Sequence, residues 1–90
     1  MEILIIHPRD NVGVLLLPAE AGMTLRACGA VVKARDAIPS GHKIALQDIP
    51  AGIPVIKYGE VIGRARATIR AGGHVHVHNL ESLRGRGDLA

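Results

Sequence analysis

Ile38-Pro39-Ser40-Gly41 leads into His42-Lys43-Ile44-Ala45-Leu46, and Ile49-Pro50-Ala51-Gly52 leads into Ile53-Pro54-Val55-Ile56-Lys57-Tyr58-Gly59. Proline pre-sets φ for the second position of a turn, and a glycine two residues on accepts positive φ. The β-branched residues that follow suit an extended strand. Ile69-Arg70-Ala71-Gly72 repeats the phrase ahead of Gly73 and His74, and Leu17-Pro18 with Ala21-Gly22 is a looser first copy. Each phrase reads as an apolar anchor, a tight turn and a new strand. The spacings are irregular, which argues against a solenoid. Gly and Pro punctuation at roughly 8–12-residue intervals predicts a compact all-β fold with short turns and little helix.

The rest of the chain fits that class. Ninety residues make one domain with a small core. With one Tyr, no Phe and no Trp, that core must be aliphatic. Met1–Ile6 is a short strand, apolar at Ile3-Leu4-Ile5-Ile6 and ended by His7-Pro8, since Pro removes a ladder donor. Pro8-Arg9-Asp10-Asn11 is turn chemistry, with Asp10 and Asn11 as turn formers. Val12–Leu17 is the next strand, with Gly13 as a bulge or close-approach point. Thr24–Val32 suits a hairpin around Ala27-Cys28-Gly29. The domain is expected to span residues 1–80, with 81–90 as a flexible tail that lacks an apolar face. The Arg86-Gly87-Asp88 tripeptide in that tail carries no weight as an adhesion signal.

Composition excludes several function classes. No apolar run approaches the roughly 20 residues of a membrane span. Met1–Ile6 contains Glu2 and no basic leader, so a secretory signal is not expected. The single Cys28 rules out an internal disulfide framework and fits a reducing compartment, with the cytoplasm as the expected location. The net charge of +3 is mild and scattered, and no aromatic platform exists for base stacking, so no nucleic-acid partner is expected. Arg64 and Arg66 alternate along a strand and read as a solvated face, with contact to an anionic substrate or an acidic partner surface as the alternative.

The stretch richest in chemistry is His74-Val75-His76-Val77-His78-Asn79. Read as a strand of period two, it puts three imidazoles on one face and both valines on the other. Such a row is a half-site for a divalent metal, or a set of acid/base groups titrating near neutral pH. The bland alternative is an edge strand whose polar face carries histidine. His42-Lys43, just after a Gly turn, suits carboxylate binding or proton donation, and equally an exposed polar turn. Lys57-Tyr58 offers a cation and a phenol; Tyr58 also suits a large core filler with its hydroxyl at the rim. His7 is expected to be exposed and Cys28 to be a small buried residue. There is no phosphate loop and no carboxylate pair at catalytic spacing. The set makes half a site, which another chain would complete.

These residues also carry a resemblance. Ile6-His7-Pro8-Arg9-Asp10-Asn11-Val12, Gly41–Leu46, Gly52 with Val55–Gly59, Ile62-Gly63, and Gly72 with His74–Leu80 resemble, in order, the N-terminal SAF domain of the altronate/galactarate dehydratase family. The match covers roughly residues 6–80. It implies a β-clip, SAF-like fold and the small subunit of a sugar-acid dehydratase, a lyase inactive without its large subunit. It also implies a divalent metal, Fe2+ with Mn2+ or Mg2+ as alternatives, and a sugar-acid or hydroxy-acid substrate. A homo-oligomer stays open. On this reading His74, His76 and His78 hold the metal, and His42, Lys43, His76 and His78 carry acid/base or carboxylate-binding roles. Lys57 and Tyr58 bind substrate. Sulfolactate sulfo-lyase has a similar small subunit, which leaves water and sulfite both open as the leaving group. The rival readings are a non-catalytic SAF module that binds a sugar acid or positions a subunit, and an assembly domain like those of appendage proteins.

Overall fold

A computed structural model describes residues 2–27 and 29–82. It is all-β, as expected. Among the described residues the nine short strands are β1 (Ile3–Leu4), β2 (Val12–Leu15), β3 (Thr24–Ala27), β4 (Ala30–Lys33), β5 (Lys43–Ala45), β6 (Pro54–Lys57), β7 (Glu60–Ala65), β8 (His74–Val75) and β9 (Leu80–Ser82). All pairings are antiparallel. A central sheet runs β1-β2-β5-β8, the β3–β4 hairpin stands alone, and β6-β7-β9 form a third sheet. Neighbouring strand residues point to opposite faces. Ile44 therefore enters a core with Ile3, Leu15, Leu25, Val32 and Ile38, while adjacent Ala45 enters another with Val12, Val55, Ala65, Ile69 and Val75. The central sheet thus separates two aliphatic cores, one capped by each hairpin.

The recurring phrase explains this layout. Its four copies pair off through reciprocal backbone bonds: Ala19 with Ile38 (2.9 Å each way), and Ile49 with Ile69 (2.7 and 2.8 Å). The rest of the hydrogen bonding repeats as well. Gly22 N–H donates to Ala34 O as Gly52 does to Ala65 O, and Gly41 N–H to Leu15 O as Gly72 does to Ala45 O. Residues 16–45 and 46–76 are therefore two copies of one unit, offset by 30 residues as far as Val31 and Val61 and by 31 from Val32 and Gly63 onward. The extra residue is Ile62, left unpaired where the β6–β7 register slips between Val55 and Ile56. The spacing that looked irregular in sequence is alternation: a hairpin separates the first and second turns and the third and fourth, but not the second and third.

The copies differ at one instructive place. Val32 fills the first core from β4. Its counterpart on β7 is Gly63, where a side chain would overlap the Glu81 carbonyl and meet Leu80 Cδ1 at 2.9 Å. Leu80 of β9 packs against the second core from there instead. Glu81 and Ser82 consequently belong to a strand rather than to a tail, and residues 83–90 lie outside those described. The Arg86-Gly87-Asp88 tripeptide and Cys28 lie outside them too.

Other local readings shift. Gly13 keeps regular register opposite Ile44 and is a point of close approach, since a side chain there would overlap Ile3. Asp10 and Asn11 are more than turn formers. They are buried and bridge to the β6–β7 hairpin more than forty residues away, as described below. Among the described residues no helix is long and apolar enough to cross a membrane.

The four turn glycines share positive φ, which L side chains adopt at a cost of about 1–2 kcal/mol. Their surroundings differ. A Cβ on Gly52 (φ 85°) meets nothing within 4 Å, whereas one on Gly72 (φ 87°) would overlap the Lys33 carbonyl. Gly52→Ala is expected to cost about 1 kcal/mol, and Gly72→Ala several kcal/mol more. Urea unfolding of the two variants side by side checks this; equal losses would contradict the close packing of the fourth turn.

Candidate functional site

The histidines gather, but not by strand alternation. β8 ends at Val75, and residues 76–79 turn. Asn79 imposes that turn: its Oδ1 accepts the His76 N–H (2.9 Å) and its Nδ2 donates to His74 O (2.7 Å). His76 O accepts the N–H groups of Asn79 and Leu80 (3.0 and 2.9 Å). Val75 is fully buried, whereas Val77 is 73% exposed, so the two valines do not share a buried face. The expected six-residue strand is replaced by two strand residues and a side-chain-stabilised turn, the competition that Asn offers any backbone ladder.

Register brings a fourth imidazole into the set. His74 stands opposite Ile44, and His42 lies two residues before Ile44, so the two rings share a face. His42 Nδ1 lies 2.9 Å from His74 Nε2, one donating and one accepting. The His42 ring stacks on His76 with centroids 4.4 Å apart, and His74 stacks on His76 at 5.5 Å. One ring nitrogen from each of His42, His74 and His76 lies within 4.8 Å of the others. His78 is exposed, its ring 5.4 Å from that of His74, and it stays outside this close set. His42 thus takes the place among the converging nitrogens that strand alternation gives to His78. Sequence offered one signal for this: both histidines follow the Gly of a copied phrase, at Gly41-His42 and Gly72-Gly73-His74.

Charge around the cluster is positive. Lys43, on β5, is half-buried, and its ammonium is held below the usual lysine range by burial and then by nearby Lys57. The imidazole of His74 is pushed down by burial, then by His42, His78 and His76, with Asp36 opposing. That of His76 is pushed down by burial, then by His42, Lys43 and His78. Both rings therefore favour the neutral form, which a metal ligand requires. The Asp36 carboxylate accepts the His74 backbone N–H at 3.0 Å and supports β8 from outside the cluster.

Lys57 and Tyr58 sit at the β6–β7 tip. Lys57 Nζ lies 4.8 Å from the Tyr58 ring centroid. Tyr58 is 45% exposed, so it is not a core filler, and its φ of 57° is unusual for a bulky residue. The loop before β2 holds this tip. Asp10 Oδ1 accepts the Gly59 N–H (2.8 Å), and its Oδ2 accepts the His7 N–H (3.2 Å). Burial raises the Asp10 carboxyl, but the N–H groups of Gly59, Tyr58, His7 and Ile6 outweigh it and leave the group below the usual carboxylate range. Asn11 accepts the Ile56 N–H (2.7 Å) and donates to Pro54 O (2.9 Å), replacing backbone partners at the bulge. The His7 ring lies so close that a side chain on Gly59 would meet it at 2.8 Å. Sequence placed Asp10 and Asn11 in a local turn, and nothing local in it points to a clamp on a distant hairpin.

With this geometry in place, comparison with known proteins is specific. The family model described as the altronate/galactarate dehydratase SAF domain matches residues 1–83. The chain belongs to that family. It is similar to the altronate dehydratase of Bacillus subtilis (strain 168), 43% identical over 77 residues, which is 86% of this chain and 16% of that enzyme. It is 46% identical over 82 residues to the altronate dehydratase of Escherichia coli (strain K12), 91% of this chain and 17% of the enzyme. The (2R)-sulfolactate sulfo-lyase subunit alpha of Chromohalobacter salexigens is 41% identical over 90 residues, 89% of this chain and 94% of that subunit. The chain thus spans about a sixth of the length of the two altronate dehydratases. The motifs that carried the resemblance include the clamp, the Lys57-Tyr58 tip and the imidazole cluster.

The low-lying imidazoles set a pH window. The unfolded chain titrates His74 and His76 near 6.5, above their values in the fold, so below that pH it binds more protons than the folded state. Stability is expected to be level above about pH 7 and to fall as pH drops through and below 6.5. Thermal unfolding from pH 8 to 5 checks this, and His42→Gln should lessen the slope by removing one repelling neighbour. An unchanged midpoint across that range would contradict it.

Proposed function

We propose that this domain forms one wall of the active site of a metal-dependent lyase acting on a sugar acid or small hydroxy-acid. A larger lyase polypeptide supplies the facing wall, and the complex works in the cytoplasm. The observation that carries this reading is the convergence of the His42, His74 and His76 nitrogens near Lys43, with Lys57 in turn near Lys43. The donor set fits a divalent ion. Ligands about 2.1 Å from one metal lie at most about 4.2 Å apart. The His42–His74 pair already meets that limit, and the widest separation of 4.8 Å needs only a small ring movement. Fe2+ is the favoured ion, with Mn2+ or Mg2+ as alternatives; imidazole nitrogen suits Fe2+ better than the oxygen-preferring Mg2+.

In such a reaction the Cα–H bond α to the carboxylate breaks and its proton passes to a base. The electron pair forms the new carbon–carbon double bond, and the β-substituent leaves with its own pair as water after protonation, or as sulfite. Bound metal would supply Lewis-acid stabilisation of charge developing on the carboxylate. Lys43 and Lys57 hold the carboxylate electrostatically before and during proton loss. The exposed imidazole of His78, at the edge of the cluster, is placed to carry protons between solvent and the reacting groups. The Tyr58 hydroxyl donates a hydrogen bond to a substrate oxygen, and Asp10 and Asn11 hold the hairpin that carries it.

A second reading is a non-catalytic module that binds the acid or positions the larger polypeptide. The small share of the altronate dehydratases that the chain spans favours keeping it. Titration calorimetry with Fe2+ under anaerobic conditions, with Mn2+ alongside, separates the two. His42→Ala and His74→Ala should each weaken binding at least tenfold, and His78→Ala much less. In the assembled enzyme His42→Ala should lower kcat by two or more orders of magnitude on galactarate, altronate or sulfolactate. Full turnover after loss of all three converging histidines would leave only the module.

A further inference from the structure

The two units are internal controls for one another, and one of them has an edge that no strand covers among the described residues. In the second unit β9 lies along β7, with Leu80 against the core and Glu81 opposite Arg64, 3.8 Å from its Nε. In the first unit β4 pairs with β3 alone among the described residues. Arg64 corresponds to Lys33, since each stands opposite the first residue of its hairpin. Neither Lys33 nor Arg35 forms an ion pair among the described residues. A groove of about 550 Å3 runs beside this edge, lined by Val31, Lys33, Arg35, Leu46 and Ala71 among others. Val31 is 65% exposed.

Backbone direction supports occupation by a strand. Ala34 N–H donates to Met23 O within the hairpin, so by antiparallel alternation the polar groups of Val31, Lys33 and Arg35 face away from β3. Arg35 N–H is satisfied by Gly72 O (2.9 Å), as Arg66 N–H is by Asn79 O (2.9 Å) in the other unit. There the chain continues from Asn79 into β9. In the first unit the Gly72 turn closes against the Lys33 carbonyl and goes no further, leaving the Val31 backbone and the Lys33 N–H without a partner strand among the described residues. An unpaired edge with an apolar flank is where an extended segment adds to a sheet.

We propose that the β4 edge and its groove receive an extended acidic segment of the larger lyase polypeptide, which lays an apolar side chain on Val31 and Leu46 and a carboxylate against Lys33, as Leu80 and Glu81 do in the other unit. This rests on the two-part lyase described above. The carboxylate follows from charge complementarity: Lys33 and Arg35 flank the groove, and the corresponding cation Arg64 already has an acidic partner. The docking face is separate from the imidazole cluster, with which the groove shares no lining residue.

Amide hydrogen exchange tests it, with the full chain alone and with the lyase polypeptide supplied as a separate chain. Val31 and Lys33 amides should exchange at least tenfold more slowly in the complex. Lys33→Glu should weaken association about tenfold at low salt, with the unfolding midpoint and Fe2+ binding unchanged. Association that leaves both amides unprotected and ignores Lys33→Glu overturns the docking site while the lyase reading stands. Failure to associate at all overturns the two-part reading and the docking site with it. Protection of the same amides in the chain alone, rising with its concentration, assigns the edge to a second copy and equally overturns the proposal.

Discussion

Two pairs of reciprocal backbone hydrogen bonds, Ala19 with Ile38 and Ile49 with Ile69, organise this small protein. Each joins the turns that enter and leave one unit, and each pins an apolar anchor in a separate core. A 90-residue chain with a single Tyr and no Phe or Trp has little apolar surface to bury. It meets that constraint by dividing the work: two aliphatic clusters share one central sheet, whose neighbouring residues Ile44 and Ala45 serve opposite faces. The hairpins, the Asp10-Asn11 clamp and the imidazole cluster all take their positions from that frame.

Sequence revealed the fold class because Pro and Gly signal turns through local backbone preference alone. The copied phrase was visible too, down to the loose first copy at Leu17–Gly22. Its pairing was not, because Ile62 breaks the constant offset and because reciprocity between Ile49 and Ile69 is a long-range property. The Gly63–Leu80 exchange was hidden for the same reason: a glycine in a strand signals close approach without naming the neighbour. Glu81 and Ser82 were assigned to the tail because the run from Glu81 on lacks an apolar face, whereas Leu80, the core side chain of β9, fell inside the domain.

The candidate site was legible in membership and not in geometry. His42, Lys43, Lys57, Tyr58, His74, His76 and His78 were all singled out by residue type and context; the four imidazoles gather with Lys43 near them, and Lys57 lies near Lys43 and the Tyr58 ring. Alternation misplaced the close set because it treated residues 74–79 as uniform strand. Asn79 captures two backbone groups of its own segment and turns the chain after Val75, so cross-strand register, rather than sequence alternation, selects His42. Asp10 and Asn11 show the converse: residues typical of turns act here as replacements for backbone in a hairpin that lacks a regular ladder at its bulge.

His42 comes from the first unit, and His74 and His76 from the end of the second. Their meeting spans 32 residues of chain and requires β5 and β8 to have docked. Neither unit alone holds the three-nitrogen set, so that set is a property of the duplicated chain and not of the repeated motif. Contacts of such separation carry a high entropic cost in small β proteins. A ligand that gripped all three rings would therefore act as a latch: it would also grip both halves, and would make closure of the β5–β8 pair and convergence of the nitrogens a single event.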